Sequence, residues 1–193
     1  FLQLAPDEKV SAVLSMSDLG DYKFLVMATR NGVIKKVDIK DLSNVRRSGL
    51  IALKLKGEDL LQWVKPSTGS DEIMIVTANG QSIRFKEKAI RAMGRNASGV
   101  RGMRLKGKDV IVGMDVVEPI QAKNFQLFII SEEGLGKRTP LVQYRLQGRG
   151  GSGIKTSKVT KKTGQLIGAY VVHAKDERDL MVMSTKGQII RLP

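Results

Sequence analysis

Residues 24–37 read Phe-Leu-Val-Met-Ala-Thr-Arg-Asn-Gly-Val-Ile-Lys-Lys-Val, in which an apolar run meets an Asn-Gly pair and a second apolar run follows. This arrangement is a strong local signal for a β-hairpin. The pattern recurs at residues 72–85, 126–139 and 179–192. The turn glycines lie 48, 54 and 53 residues apart, at Gly32, Gly80, Gly134 and Gly187. A period of this length with several strands in each repeat is typical of the blades of a propeller.

The second half of each repeat contains a basic loop whose last glycine lies 17 to 19 residues after the turn glycine. These loops are residues 46–49, 95–99 and 147–153. Each loop precedes an apolar residue that opens a short strand-like run, at Leu50, Val100 and Ile154. A polar turn follows, and a longer apolar strand then begins near Leu60, Val110 and Leu166. Each repeat is therefore predicted to contain about four strands.

Blades of this size cannot bury both faces alone, so neighbouring blades are expected to cover one another. Exposed sheet edges need protection, either by ring closure or by exchange of strands between blades. No segment has a convincing amphipathic-helix pattern, and residues 39–45 and 88–93 are each predicted to form one short turn. The predicted core includes Leu25, Met27, Ile73, Ile75, Phe128 and Ile130.

The repeat also predicts how the chain divides. We expect residues 1–193 to be a fragment of one domain, because the opening segment, residues 6–14, resembles only the last strand of a repeat. The predicted parts are the end of one blade at 1–23, blades at 24–71, 72–125 and 126–178, and the start of a further blade at 179–193.

The composition argues against several classes of protein. The 193 residues include no cysteine, which excludes disulfides and thiolate metal sites. No apolar run approaches the ~20 residues that span a membrane. No His, Cys or carboxylate cluster has the spacing of metal ligands, and the single histidine, His173, is interpreted as a strand-end residue. We therefore expect neither a catalytic residue nor a metal site in this chain.

The formal net charge is +14, and the charged residues follow the repeat. Residues 24–56, 80–108 and 134–162 hold 25 of the 33 Lys and Arg residues but only 3 of the 19 Asp and Glu residues. Basic residues that serve only solubility have no reason to be in phase with the fold. Because equivalent positions in a ring of blades lie on one rim, this phasing predicts a positive belt that binds a polyanion, with duplex DNA the best fit.

The candidate DNA-binding residues are Lys and Arg side chains of these three segments. Glycines in the loops let backbone N–H groups approach phosphates and permit positive φ. The positions predicted to bind DNA are Arg30, Lys35, Lys36, Arg46, Arg47, Lys54, Arg84, Arg91, Arg95, Arg101, Arg104, Lys137, Arg138, Arg145, Arg149, Lys155 and Lys158.

Four stretches resemble a known family, the C-terminal domain of the DNA gyrase A protein. They are residues 24–36, residues 83–87 (Ile-Arg-Phe-Lys-Glu), residues 91–105 (Arg-Ala-Met-Gly-Arg-Asn-Ala-Ser-Gly-Val-Arg-Gly-Met-Arg-Leu) and residues 134–139 (Gly-Leu-Gly-Lys-Arg-Thr). The resemblance covers essentially the whole chain, and the 91–105 motif is specific. It implies an all-β fold, the β-pinwheel, in which four-stranded antiparallel blades form a propeller-like disc and exchange strands with their neighbours.

The resemblance implies a non-catalytic role within an enzyme. In this family the basic outer rim binds double-stranded DNA without sequence preference and bends it chirally, which supports ATP-dependent negative supercoiling by DNA gyrase, a type II topoisomerase. The implied partners are double-stranded DNA, the rest of the gyrase A protein and the gyrase B protein in an A2B2 holoenzyme, with no membrane. The domain itself is expected to use no cofactor, since ATP and Mg²⁺ act elsewhere in the holoenzyme. The implied location is the bacterial cytoplasm, in association with the nucleoid.

One loop resembles the gyrase A box, the heptapeptide Gln-(Arg/Lys)-Arg-Gly-Gly-(Arg/Lys)-Gly of the family's first blade. The box-like loop departs from that pattern at Gly148 and Ser152, and it follows the 91–105 motif in a later blade. It consists of Gln147, Gly148, Arg149, Gly150, Gly151, Ser152 and Gly153.

The active-site tyrosine of the family lies N-terminal to this domain. The sequence therefore gives no reason to assign that nucleophile to Tyr22, Tyr144 or Tyr170. Two other interpretations stay open at this point: the related pinwheel domain of the topoisomerase IV A protein, which acts in decatenation, and a propeller scaffold that binds an acidic protein.

Overall fold

The computed structural model describes residues 4, 8–15, 19–43, 49–176 and 178–192, and its regular elements are strands and short 3-10 turns. The first strands are β1 (Phe24–Thr29), β2 (Val33–Asp38), β3 (Leu61–Ser67), β4 (Glu72–Thr77), β5 (Gln81–Lys86), β6 (Val100–Arg101) and β7 (Ile111–Val117). The remaining strands are β8 (Phe125–Ser131), β9 (Gly136–Pro140), β10 (Ile154–Lys155), β11 (Leu166–His173), β12 (Leu180–Met183) and β13 (Ile189–Leu192). The all-β prediction is confirmed.

The 3-10 turns span Ile39–Leu42, Glu87–Ala89, Pro119–Asn124 and Leu141–Gln143. The first two fall within or beside the short turns expected at residues 39–45 and 88–93. Residues 8–15, in the opening segment that resembles a closing strand, form no strand and are exposed.

Each predicted hairpin forms, and its turn ends in the expected glycine. In the first hairpin the N–H of Gly32 donates to the carbonyl of Thr29 (3.1 Å), and Gly32 has φ 83°. Asn31 precedes it in an ordinary conformation, since every described residue with positive φ is a glycine. The turn is therefore three residues long and ends in a left-handed glycine. The other turn glycines repeat this bond to the residue three positions earlier, at Gly80, Gly134 and Gly187.

Two sheets obtain their outer strand from the following repeat. The strand orders are β3-β1-β2-β6, β10-β5-β4-β7, β11-β8-β9 and β12-β13. Strand β6 pairs with β2, with Val100 opposite Ile34, although β6 lies more than sixty residues later in the chain. Strand β10 pairs with β5 in the same way, with Ile154 opposite Ser82. The strand exchange that the resemblance implies is therefore present, and a sheet does not coincide with a predicted blade.

The opposite edges of the sheets meet one another. Strand β7 contacts both β3 and β11. The carboxylate of Asp115 joins all three strands, because its Oδ1 pairs with Lys65 Nζ (2.9 Å) and its Oδ2 accepts from the N–H of Val171 (2.8 Å). Strands β3, β7 and β11 are therefore the inner strands. We call the side that carries β6 and β10 the outer edge.

The core consists of layers between successive sheets. Strand β4 is buried along its whole length. Ile73 and Ile75 pack in the cluster shared with the first sheet, whereas Met74 and Val76 pack in the cluster shared with the third sheet. Neighbouring repeats thus cover both faces of β4, as the size of a single blade requires.

The third sheet differs from the core prediction. Phe128 and Ile130 are only half-buried, and the alternate residues Leu127 and Ile129 pack in the core instead. The reason is that Leu127 and Ile129 pack against Met74 and Val76 of the second sheet, whereas Phe128 and Ile130 lie on the other face of β8 and line an open cavity beside Leu180.

Replacement of Ile75 by Ala tests the packing between sheets. Ile75 is 1% exposed, so the truncation is expected to lower the free energy of unfolding by about 2–5 kcal/mol, as measured by urea denaturation. The matched control is Ile120→Ala, because Ile120 is 90% exposed. Equal losses in the two variants would contradict the assignment of Ile75 to the core.

Candidate nucleic-acid interface

Residues 91–99, which include the basic loop 95–99, are fixed along the outer edge of the preceding sheet. This segment first runs beside β2, where the N–H of Met93 donates to the carbonyl of Lys36 (2.9 Å). It then reverses and returns along the same strand as β6. Between these two attachments Arg95 and Asn96 are exposed. The loop therefore closes the sheet edge with its backbone and exposes its cation to solvent.

The box-like loop 147–153 repeats this path on β5. The N–H of Gln147 donates to the carbonyl of Arg84 (2.8 Å), and the loop returns along β5 as β10. At the reversal Gly153 has φ 74°, and a Cβ there would lie 2.3 Å from the carbonyl oxygen of Ser82. Only glycine permits this approach of two backbones. The last glycine of the loop thus serves strand exchange.

Successive loops are also bonded to each other. The N–H of Lys54 donates to the carbonyl of Ala97 (3.3 Å), and the equivalent bond one repeat later joins Arg104 N–H to the carbonyl of Gly151 (2.9 Å). The N–H of Gly150 adds a bond to the carbonyl of Gly102 (2.8 Å), so this amide is occupied and not free for a phosphate. These bonds fix the position of each loop relative to the segment that follows the preceding loop.

The exposed cations of the outer edge follow the repeat. Five residues after the last loop glycine, each repeat exposes a basic side chain, at Lys54, Arg104 and Lys158. The predicted site residues that lie exposed in, just before or just after the loops are Lys54, Arg91, Arg95, Arg101, Arg104, Arg145, Lys155 and Lys158. We call this set the outer-edge cations.

The remaining exposed candidates lie elsewhere in the repeat. Arg30 is exposed in the first hairpin turn, and Lys137 and Arg138 are exposed on β9. Arg46 and Arg47 fall outside the described residues. The prediction omitted Lys56 and Lys106, which are exposed at equivalent positions, seven residues after Gly49 and Gly99. Alignment of the repeats on those glycines is the signal that identifies them.

Lys35 is a correction to the predicted site. Its side chain is 0% exposed, and its ammonium donates to the carbonyls of Ala52 (2.7 Å), Arg95 (2.5 Å) and Ala97 (3.0 Å). Burial lowers the pKa of this ammonium, because a charge loses hydration when it leaves water. Lys35 is therefore not available to DNA; it anchors the loop that exposes Arg95.

Lys36 is a second correction. Its ammonium is buried, lies 3.2 Å from the carboxylate of Glu87 and sits over the ring of Phe24 at 4.8 Å from the centroid. Glu87 is fully buried, and it also accepts from the hydroxyl of Ser67 (2.9 Å) and the N–H of Asp71 (3.1 Å). This charge is paired and hydrogen-bonded, as a buried ion requires. The pair fixes the junction between the first and second sheets.

Arg84 is the third correction and occupies the equivalent position on β5. Its guanidinium binds the carboxylate of Glu72 through Nε (2.7 Å) and Nη2 (2.5 Å). Its Nη1 donates to the carbonyls of Leu141 (2.8 Å) and Tyr144 (3.1 Å) of the next repeat. With these donors engaged in the interior, Arg84 joins the second and third sheets and does not face a ligand.

Arg149 of the box-like loop is partly exposed, but its guanidinium makes hydrogen bonds within the protein. The residue is half-buried, and its guanidinium donates to the carbonyls of Ala89 (3.1 Å) and Arg101 (2.5 Å). Both acceptors belong to the preceding repeat. Arg149 is therefore a bridge between neighbouring loops, although the sequence assigned it to DNA.

His173 and Tyr144, two residues of types that often act in catalysis, make packing and hydrogen-bond contacts within the fold. His173 ends β11, as predicted, and its ring contacts Phe125 edge-on at 5.5 Å between centroids. The hydroxyls of Tyr144 and Thr156 share a buried hydrogen bond. Within the described ranges no group of three or more His, Cys, Asp or Glu side chains is arranged to hold a metal ion. None of the helices described is long and apolar enough to cross a membrane.

This arrangement of sheets and loops has known counterparts. The sequence profile of the family described as "DNA gyrase C-terminal domain, beta-propeller" matches residues 23–68, 71–118, 126–173 and 178–193. The chain belongs to this gyrase family.

Similarity to individual proteins supports the same family. The DNA gyrase A protein of Staphylococcus epidermidis is 38% identical over 192 residues, and that of Staphylococcus aureus is 37% identical over the same length. Each match covers 99% of this chain and 21% of the relative, so the chain spans about a fifth of the gyrase A proteins it matches.

Solved structures of two gyrase-family domains resemble the fold throughout. The C-terminal domain of DNA topoisomerase IV superposes with a TM-score of 0.87 at 25% identity, covering 98% of this chain and 58% of that one. The DNA gyrase A C-terminal domain superposes with a TM-score of 0.81 at 25% identity, covering 99% and 62%. The predicted family and the propeller-like fold are thus confirmed.

Replacement of Lys35 by Met tests its anchoring role. The variant leaves three carbonyls without their ammonium donor, and we expect the free energy of unfolding to fall by about 1–3 kcal/mol. Ile83→Met is the matched control, because Ile83 is equally buried at the equivalent position on β5 and is expected to cost less than about 1.5 kcal/mol. Urea denaturation measures both. A Lys35→Met variant as stable as the control would show that the three bonds contribute little.

Proposed function

We propose that this gyrase-family domain binds duplex DNA along its outer edge. The observation that carries the proposal is the exposed basic residue at the same place in three successive repeats, at Lys54, Arg104 and Lys158. At two of these positions, Lys54 and Arg104, the backbone N–H donates to a carbonyl in the loop of the following repeat, which fixes their spacing relative to that loop. A regular row of cations matches the regular charge of a duplex backbone better than it matches an irregular acidic protein surface.

Binding of this kind depends on phosphates. Lys and Arg neutralise backbone charge and release counterions, so affinity falls steeply as salt rises. Phosphate contacts position a protein without reading base sequence. We therefore infer that the domain binds DNA with little sequence preference.

The proposed consequence for DNA is bending around the outer edge. Elastic estimates put the cost of bending 20–30 base pairs at roughly 1–6 kcal/mol, so contacts from several repeats must act together. The cations therefore need a rigid support. Two buried cations supply it. The Lys36–Glu87 pair joins the first and second sheets, and Arg84, which Glu72 of its own sheet holds in place, donates to the carbonyls of Leu141 and Tyr144 in the next repeat.

At the level of the whole protein, we propose that the domain acts as part of a gyrase A protein. It would hold a wrapped duplex for the type II topoisomerase reaction, in which the rest of the gyrase A protein and the gyrase B protein use ATP and Mg²⁺ for negative supercoiling. The proposal rests on relatives that are named as the A component of DNA gyrase and that this chain matches over 99% of its length.

A second candidate is the equivalent domain of topoisomerase IV. The specific observation in its favour is the TM-score of 0.87 to a topoisomerase IV domain, against 0.81 to a gyrase domain. The box-like loop also lacks two basic residues of the gyrase pattern, at Gly148 and Ser152. Both candidates bind DNA through the same edge, and they differ in whether the bound duplex is wrapped chirally.

Charge reversal tests the binding edge. In the triple variant Lys54→Glu, Arg104→Glu, Lys158→Glu, we expect weaker binding to a duplex of random sequence by fluorescence anisotropy. Each lost phosphate contact should lower the slope of log affinity against log salt by about 1. Thermal unfolding should stay cooperative, since all three side chains are exposed.

The control variant carries the same change of charge in exposed lysines outside the basic segments, at Lys123, Lys175 and Lys186. We expect it to retain the slope of the native chain. Equal losses in the two triple variants would show that net charge alone, without the outer edge, accounts for binding. Failure of the native chain to bind DNA would favour the protein-scaffold function.

Topology measurements separate wrapping from simple binding. When nicked circular DNA is ligated in the presence of the native chain, a gyrase-like domain should shift the linking number in one direction, and added salt should suppress the shift. The triple variant of the outer edge is the control and should give no shift. Tight binding without a shift would contradict chiral wrapping and favour the topoisomerase IV candidate.

A further inference from the structure

An open cleft lies between the first hairpin turn and the chain on either side of β6. Its volume is about 630 Å³. One wall is the hairpin turn at Asn31, a second is the polar turn at Lys56, and the third consists of residues between 98 and 105 in the next repeat. A cleft of this size accommodates a group as large as a nucleotide and not only a single ion.

The charged side chains that line the cleft are all basic. They are Lys56, Arg101 and Arg104, and among the described residues no acid lines the same cleft. All three are exposed, and none of them forms an ion pair with a carboxylate that the structure describes. A concave surface with charges of one sign concentrates ions of the opposite sign. The cleft therefore attracts an anion.

The hairpin turn holds the other two walls in place. The N–H of Gly102 donates to the carbonyl of Gly32 (2.8 Å), which fixes the wall that comes from the next repeat. The Oδ1 of Asp59 accepts from the N–H of Asn31 (2.9 Å), which ties the polar turn to the same hairpin turn. Because the backbone of all three walls is fixed before a ligand arrives, little freedom is lost on binding.

The same cation positions recur one repeat later. Lys106, Lys155 and Lys158 lie seven, two and five residues after their loop glycines, as Lys56, Arg101 and Arg104 do, and all are exposed. Asp109 again ties the polar turn to its hairpin turn, through the N–H of Asn79 (2.9 Å). The first junction has guanidinium groups where the second has ammonium groups. A guanidinium can bond two phosphate oxygens at once, whereas an ammonium acts as a point charge.

We propose that the cleft is a phosphate-binding site, in which Arg101 and Arg104 bond the phosphate oxygens and Lys56 adds a neutralising charge. A backbone phosphate of the bound duplex is the ligand, so this proposal rests on the proposed function; a free polyphosphate has the same chemistry. The cleft opens beside the hairpin turn. The duplex therefore lies nearer to the hairpin turns than to the 3-10 turns at the other end of the sheets.

Inorganic tripolyphosphate tests the site without DNA. We expect the native chain to bind it in isothermal titration calorimetry at low salt. The double variant Arg101→Lys, Arg104→Lys keeps the net charge but removes both guanidinium groups, so its affinity should fall about tenfold. The matched control is Arg91→Lys, Arg145→Lys, which makes the same change at two exposed arginines outside the cleft. It should bind tripolyphosphate as the native chain does.

Competition with duplex DNA identifies the source of the phosphate. If a backbone phosphate enters the cleft, the duplex should displace tripolyphosphate from the native chain. Lys56→Gln should also lower the affinity for DNA more than Lys88→Gln does, because Lys88 is exposed in the 3-10 turn at the opposite end of its sheet. A duplex that binds but leaves tripolyphosphate in place would assign the cleft to a free polyphosphate and contradict this placement of the DNA.

Two results would overturn the phosphate site. The native chain could fail to bind tripolyphosphate, or the two arginine variants could lose affinity equally. If fluorescence anisotropy still shows DNA binding in either case, the outer edge remains the binding surface and only the cleft is assigned wrongly. Tripolyphosphate binding by a chain that does not bind DNA would refute the proposed function and leave the phosphate site standing.

Discussion

The outer backbone edge of each hairpin is the constraint on which the structure depends. A return strand such as β2 or β5 has N–H and C=O groups that find no partner within its own repeat, and an uncovered edge invites uncontrolled pairing. The following repeat covers that edge with a segment that runs along the strand, reverses at a glycine and returns. The reversal forms an outward loop, and the loop exposes the basic residues. Sheet completion and surface charge are thus two results of one backbone arrangement.

The repeat made most of the fold predictable, because turn glycines and apolar runs are local signals. Strand exchange is not local. Val100 and Ile154 look like ordinary short strands, and neither the need to protect sheet edges nor the family resemblance identified them as the exchanged strands. The type of hairpin turn could not be predicted, because Asn31-Gly32 suits a two-residue turn as well as the longer turn that forms. Phe128 and Ile130 were assigned to the core because alternation along a strand does not tell which face has a neighbour.

For the candidate site, charge phasing identified the correct segments but could not separate exposed from buried cations. Lys35 and Lys36 are adjacent and point to opposite faces of β2. Because both faces of this strand are covered, both side chains lie in the interior. Three of their partners, the carbonyls of Arg95 and Ala97 and the carboxylate of Glu87, come from the next repeat. Sequence alone shows these residues as a run of positive charge. The structure shows them as the attachment of one sheet to another.

Strand exchange also has a consequence for synthesis on the ribosome. The first hairpin ends at Asp38, but the strand that completes its sheet begins at Val100. At typical elongation rates of about 5–20 residues per second, this segment emerges several seconds later. During that interval the nascent sheet has an open edge and an exposed apolar face, which makes it a substrate for chaperones. Codon usage between these two points, rather than within either strand, is therefore where translation speed would most affect the yield of folded protein.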